Sequence, residues 1–199
     1  MIKPFPILII SLLALLTGCT GREGEPVLPS WVDSNSLVSA SLNGSDWKAQ
    51  YERYHWLLVA NAYTLSASAE SICPVFHGLL IQQITRSGSA RSLMAFQLYS
   101  FEPGRYNLIP KRLGILPDCT PEASFSTSEG DAETAVFRLH EKADNYLFID
   151  KYDKEKSTIE GRFQVTFVPV RVGRYSFLTD KDTLRFTEGR FRANITKGP

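Results

Sequence analysis

The sequence predicts an all-β domain behind an export leader: a single antiparallel β-sandwich, with a lipocalin-like β-barrel as the alternative. Three observations predict it. Short runs of alternating apolar and polar residues recur every ~8–12 residues, with Gly, Asn, Asp and Ser turns between them. No window of ~11–18 residues carries the 3.6-residue period of an amphipathic helix well. The chain opens on a basic residue and a short apolar run, then changes character at Cys19.

The leader comes first. Met1-Ile2-Lys3 supplies one positive charge, and residues 5–16 are apolar apart from Ser11. That run is well short of the ~20 residues a membrane-spanning helix needs, so it reads as a secretory signal. Leu16-Thr17-Gly18-Cys19 resembles the bacterial lipobox. The resemblance implies a cleaved lipoprotein signal peptide over 1–18, a diacylglycerol thioether on Cys19 and an acylated (palmitate-type) new N-terminus. Two or more acyl chains hold a protein at a membrane where one does not. Thr20, and not Asp, follows the cysteine. By resemblance to lipoprotein sorting rules this points to the outer membrane, on its periplasmic face or at the cell surface. Residues 19–36 are then the lipidated cysteine and a tether rich in Gly, Pro and Glu, and 37–199 are the sandwich domain.

The strands follow in order. Residues 37–42 alternate, and Asn43-Gly44 is a hairpin signal from which Asp46-Trp47-Lys48 departs. Residues 55–60 and 63–69 read as two further strands. Residues 75–84 and 92–99 flank Ser87-Gly88-Ser89 and are expected to pair. Residues 104–109 form a short strand, and the proline-bearing 110–133 read as a long loop or edge excursion. Alternation returns over 134–142, 146–152 and 158–168, with a charged hairpin tip at 153–156. Residues 183–186 and 190–195 close the chain.

Gly-Arg-aromatic occurs at 104–106, 161–163, 173–175 and 189–191, and two of these extend to Glu-Gly-Arg-Phe, at 160–163 and 188–191. Their irregular separation excludes a solenoid or propeller period. Glycine permits a bulge or turn at a strand's start, after which Arg points out and the ring points in. The competing reading is an arginine patch for an anionic ligand, with Arg162 and Arg190 as candidates.

Composition bounds the rest. The chain carries 22 Lys and Arg against 21 Asp and Glu, and removing the leader takes away Lys3, so the mature chain is formally neutral. Nucleic-acid binding demands a basic footprint and is not expected, nor is electrostatic docking on a membrane. A domain of ~150 residues buries ~70% of its unfolded surface, so no staple is obligatory and a monomer is expected. Cys73 and Cys119 remain after Cys19 is used by lipid. In an oxidising compartment they can pair, closing a loop worth roughly 4 kcal/mol in the chain-entropy model. Two buried thiols and a reactive or metal-binding pair are the alternatives.

Chemistry-bearing patterns are sparse. His55, His77 and His140 lie outside metal-ligand spacing of one another, so no metal or cofactor is expected. Asp150–Glu160 fails as an EF-hand loop because Tyr152 and Lys154 occupy coordinating places and the glycine is missing. No Gly-x-Ser-x-Gly elbow is present. No enzyme activity is expected. Trp47 and Trp56 are candidates for stacking on sugar rings, with core packing as the competing role.

The order lipobox, tether, Leu42-Asn43-Gly44-Ser45-Asp46-Trp47-Lys48-Ala49, then Pro103-Gly104-x-Tyr106-x-Leu108, then Ile159-Glu160-Gly161-Arg162-Phe163 and Glu188-Gly189-Arg190-Phe191 resembles uncharacterised Gram-negative lipoproteins of the DUF6252 type. The resemblance implies an envelope-anchored β-sandwich without established activity or catalytic residues. The expected function is a non-enzymatic binding or structural accessory of the cell envelope, touching the membrane through its lipid, with a glycan or an envelope protein as candidate partners. A glycan-binding module and an inhibitor of a secreted hydrolase are the alternatives.

Overall fold

The computed structural model describes residues 37–48, 56–66, 75–85, 89–110, 119–129, 132–173 and 183–197. The leader, Cys19, the tether, Cys73 and the Trp56 side chain lie outside the described residues. Within them the chain is all β, in one mixed sheet. Its strands are β1 (Leu37–Leu42), β2 (Ser45–Lys48), β3 (Trp56–Ser66), β4 (Val75–Thr85), β5 (Ala90–Leu98), β6 (Gly104–Asn107), β7 (Ile109–Pro110), β8 (Glu122–Glu129), β9 (Ala132–Leu139), β10 (Tyr146–Asp153), β11 (Thr158–Val172) and β12 (Leu184–Lys197).

The hydrogen-bonded order is β2-β1-β12-β3-β4-β5-β8-β9-β11-β10-β6, and β11 also pairs with β12. Followed from β12 through β3, β4, β5, β8, β9 and β11, the pairings lead back to β12. The pairings are antiparallel apart from β12–β3 and β7–β8. The β1–β2 hairpin turns at Asn43 and Gly44, whose φ angles of 51° and 83° are those of the tight turn that matches strand twist. Asn43 also secures the neighbouring strand: its Oδ1 accepts the Arg185 amide at 2.8 Å, and its own amide donates to the Arg185 carbonyl at 2.9 Å.

β11 is long enough to change partners along one edge. Residues 158–164 pair with β10, and residues 167–172 pair with β9. At the junction neither ladder reaches the Thr166 amide. Asn145, buried between β9 and β10, accepts from it at 2.8 Å while donating to the His140 carbonyl at 2.8 Å. A buried side-chain amide thus satisfies backbone groups that the change of partner leaves over.

Three expectations about strands are corrected. Residues 55–60 and 63–69 are not two strands; β3 runs unbroken through Trp56–Ser66 and pairs with β4 along its whole length. Residues 110–133 are not one loop: β8 lies inside the sheet between β5 and β9. Its inward residues are Ala123, Phe125 and Thr127. With one large apolar side chain among serines it offers little hydrophobic contrast, yet the period of two is intact. Finally, residues 183–186 and 190–195 belong to one strand, β12, bent by a bulge at Glu188.

One continuous apolar cluster fills the interior. Phe125 meets Phe137, Phe167 and Phe186 at centroid separations of 5.4–5.6 Å, and Phe96 meets Phe163 at 5.7 Å. These are edge and tilted contacts of the kind aromatic rings prefer, and full burial of such a side chain is worth roughly 1.5–3 kcal/mol.

Candidate functional site

The two Glu-Gly-Arg-Phe segments face each other. On the antiparallel β11–β12 ladder Gly161 pairs with Phe191, Arg162 with Arg190, and Phe163 with Gly189. The inward side of this block is reciprocal. A Cβ on Gly189 would meet the Phe163 ring at 2.6 Å, and one on Gly161 would meet the Phe191 ring at 2.7 Å and collide with the Phe148 carbonyl oxygen. Each glycine therefore makes room for the other motif's phenylalanine. The outward arginine and inward ring are as expected for this pair of motifs, but the glycines lie inside β11 and β12 and admit a cross-strand ring where a turn at a strand's start was expected.

The outward side gathers charge. Across neighbouring strands one row reads Arg105 (β6), Phe148 (β10), Arg162 (β11), Arg190 (β12) and Ser39 (β1). Arg162 is held by Asp150: its Nη2 donates to Oδ1 at 2.9 Å and its Nε to Oδ2 at 3.1 Å. The same guanidinium lies 4.7 Å over the Phe148 ring. Arg105 stacks 4.1 Å over Tyr146 and bonds to Asp144 and Asn107. Arg190 is exposed and has no bonding partner among the described residues.

Beside this row the sheet is indented. Ser39, Tyr146, Arg162, Gln164, Thr187, Glu188 and Arg190 rim an open depression of about 770 Å3, with Phe163 and Gly189 at its floor. The bulge creates it. Thr187 and Glu188 together face the single residue Gln164, because the register steps between Phe163–Gly189 and Val165–Phe186. Glu188 takes φ 54°, a left-handed value uncommon for a non-glycine residue. A second depression of about 500 Å3, rimmed by Asn43, Gly44, Thr183 and Arg185, shares Thr187 with the first.

Other candidates fall elsewhere. Trp47 is 9% exposed and packs edge-on against Phe186 at 4.7 Å, which gives it the core role and leaves no free face for a sugar. Trp56 lies on β3, with its side chain outside the described residues. Cys119 is half-buried just before β8 with φ 47°. His77 is half-buried on β4, bonds to the Thr64 hydroxyl at 3.0 Å and packs against Phe101; burial pushes its imidazole below the ordinary value. Among the described residues no three His, Cys, Asp or Glu side chains converge as a metal site. The 153–156 tip is a capped turn: Asp153 accepts the Lys156 amide at 3.0 Å, which holds its carboxyl below the usual range.

Of the residues singled out in sequence, Arg162 and Arg190 are thus brought together, directly cross-strand. Ser39, Tyr146, Gln164, Thr187 and Glu188 were not anticipated. One signal points to the last two: if the duplicated motifs pair with each other, the first residue of the second motif and the one before it must lie beside the residues just after the first. Comparison with protein-family models, characterised proteins and solved structures finds no match for this chain.

Proposed function

We propose that this chain is a lipid-anchored, non-enzymatic binding accessory of the bacterial cell envelope, and that it engages its ligand on the outer face of β10, β11, β12 and β1. The observation that carries the binding reading is the depression at the paired motifs, where two arginines stand among hydroxyl and amide groups on an open sheet face. The anchor reading is supported by Leu16-Thr17-Gly18-Cys19 after a short apolar run. An outer-membrane address follows from Thr20 by the sorting resemblance. An inhibitor of a secreted hydrolase has less support, because β8 takes up the second half of the segment expected to protrude.

Two architectural readings belong to the same proposal. The return of the pairings to β12 favours the closed barrel over the sandwich, since closure leaves no long free edge for a neighbouring chain to extend. The Cys73–Cys119 disulfide is favoured by the oxidising compartment that the leader implies. The mass of the non-reduced mature protein is expected to lie two hydrogens below that of the dithiol; two alkylatable thiols in the native protein would exclude the pairing.

The function is tested in two arms. Cells expressing the full chain are fractionated with and without Cys19→Ala; the wild type is expected in the outer membrane and the variant in soluble fractions. A photo-crosslinking residue at Ser39 is then compared with one at Glu133, on β9. A discrete envelope adduct from position 39 alone is expected, and adducts of equal yield from both positions would refute the proposed face.

A further inference from the structure

We infer that the depression between β1, β12, β11 and β10 binds a saccharide bearing a single carboxylate, a uronate, with Arg190 as the principal anion contact. The inference rests on the binding reading above and names its ligand class.

Arg162 and Arg190 are directly opposite on the ladder, a placement in which like charges disfavour the sheet. Among the described residues an anion is supplied to Arg162 and none to Arg190. Asp150 grips Arg162 through both carboxylate oxygens and fixes its plane over Phe148, so Arg162 presents an oriented remainder of its fork. Arg190 presents its whole guanidinium to solvent beside it. A planar fork suits bidentate pairing with a carboxylate.

The charge count on the rim then selects among anions. Glu188 stands on the same rim as Arg190, so a ligand meets one unpaired cation and one carboxylate. A phosphate dianion would be repelled there, whereas a monoanion with hydroxyl groups can give Arg190 its charge and donate a hydroxyl to Glu188. Ser39, Thr187, Gln164 and Tyr146 add neutral donors and acceptors of the kind sugar hydroxyls use. The exposed large apolar residues, Val75, Tyr99, Val170 and Val172, all lie off this rim, so it offers little to a lipid surface. At about 770 Å3 the depression is within the ~300–1,000 Å3 range of small-ligand sites.

The test uses the mature lipidated protein in detergent and galacturonate as probe, with its methyl ester and glucose 6-phosphate as comparators, followed by calorimetry. Binding of the free acid is expected at least tenfold tighter than of either comparator, weakening as salt rises. Arg190→Gln is expected to lower affinity tenfold or more, Arg162→Gln several-fold, and Arg171→Gln, far along β11, not at all. Arg190 bonds to nothing among the described residues, so unchanged melting of Arg190→Gln separates lost contact from lost structure. Equal affinity for acid and ester, tighter binding of the phosphate, or wild-type affinity in Arg190→Gln overturns the inference. If galacturonate fails while the Ser39 crosslinker still captures an envelope component, the ligand class is wrong and the binding face stands; if both fail, the face itself is refuted.

Discussion

The two Glu-Gly-Arg-Phe segments are identical in sequence and unlike in structure. Glu160 lies in unbroken register with β12, beside a step in β10 at Asp150, and pairs with Arg192 at 3.5 Å; Glu188 is itself in a bulge with φ 54° and bonds to nothing among the described residues. Arg162 is clamped by Asp150, while Arg190 has no such clamp among the described residues. Only the inward halves match, each glycine lying under the other segment's ring. The same four residues therefore specify the same core packing, because glycine and phenylalanine act through volume. They specify different surfaces, because glutamate and arginine act through neighbours that each strand supplies separately. β10 brings Asp150 to one motif, and β1 brings Ser39 to the other.

That comparison can be broken most severely from the inside. Phe163→Ala and Phe191→Ala are each expected to destabilise by about 3–5 kcal/mol in urea unfolding, with the two values close to each other. A large difference would deny the reciprocity. Adding a methyl group should cost about 1–3 kcal/mol at either glycine. Gly161→Ala is expected to be the worse of the two, because it meets the Phe148 backbone carbonyl as well as a ring, whereas Gly189→Ala meets a ring that can tilt. In a double-mutant cycle Phe163→Ala should absorb most of the Gly189→Ala penalty and little of the Gly161→Ala penalty; additivity in both would break the pairing.

The outward half predicts opposite signs. Glu188→Gly should leave stability unchanged or raise it by up to ~1 kcal/mol, since the left-handed backbone suits glycine. Glu160→Gly should lower it by ~1 kcal/mol, as glycine does in regular strand. Thermal melts of the two variants that move in the same direction would show that the bulge does not distinguish them. The smallest effects are at the arginines. Arg162→Gln is expected to cost about 0.2–1 kcal/mol, the scale of an exposed ion pair, and Arg190→Gln nothing measurable or a slight gain from relieved repulsion.

The fold class was legible because alternation needs no context. Residues 146–152 and 158–168 read as strands and are strands, and Asn43-Gly44 reads as a hairpin and is one. β8 was not legible because Ala, Ser and Thr carry too little hydrophobic contrast to show which side is inward. Its position inside the sheet is fixed by β5 and β9, which lie far away in sequence or across a turn. The bulge in β12 was visible only as an interruption, since Thr187-Glu188-Gly189 looks like a turn between two strands until β1 and β11 hold it extended. Within the candidate site the arginines were legible by repetition. The hydroxyl and amide residues around them were not, because Ser39 and Tyr146 reach the depression only through pairing register.

Among the described residues β12 follows the other strands in sequence, and it pairs with β11, with β1 and in parallel with β3. It is therefore synthesised after every strand that it joins. Contacts of such long sequence separation form late and slowly. Until residues 184–197 emerge, β1 and β3 lack the neighbour that connects them to β11, and the ring of pairings stays open at one seam.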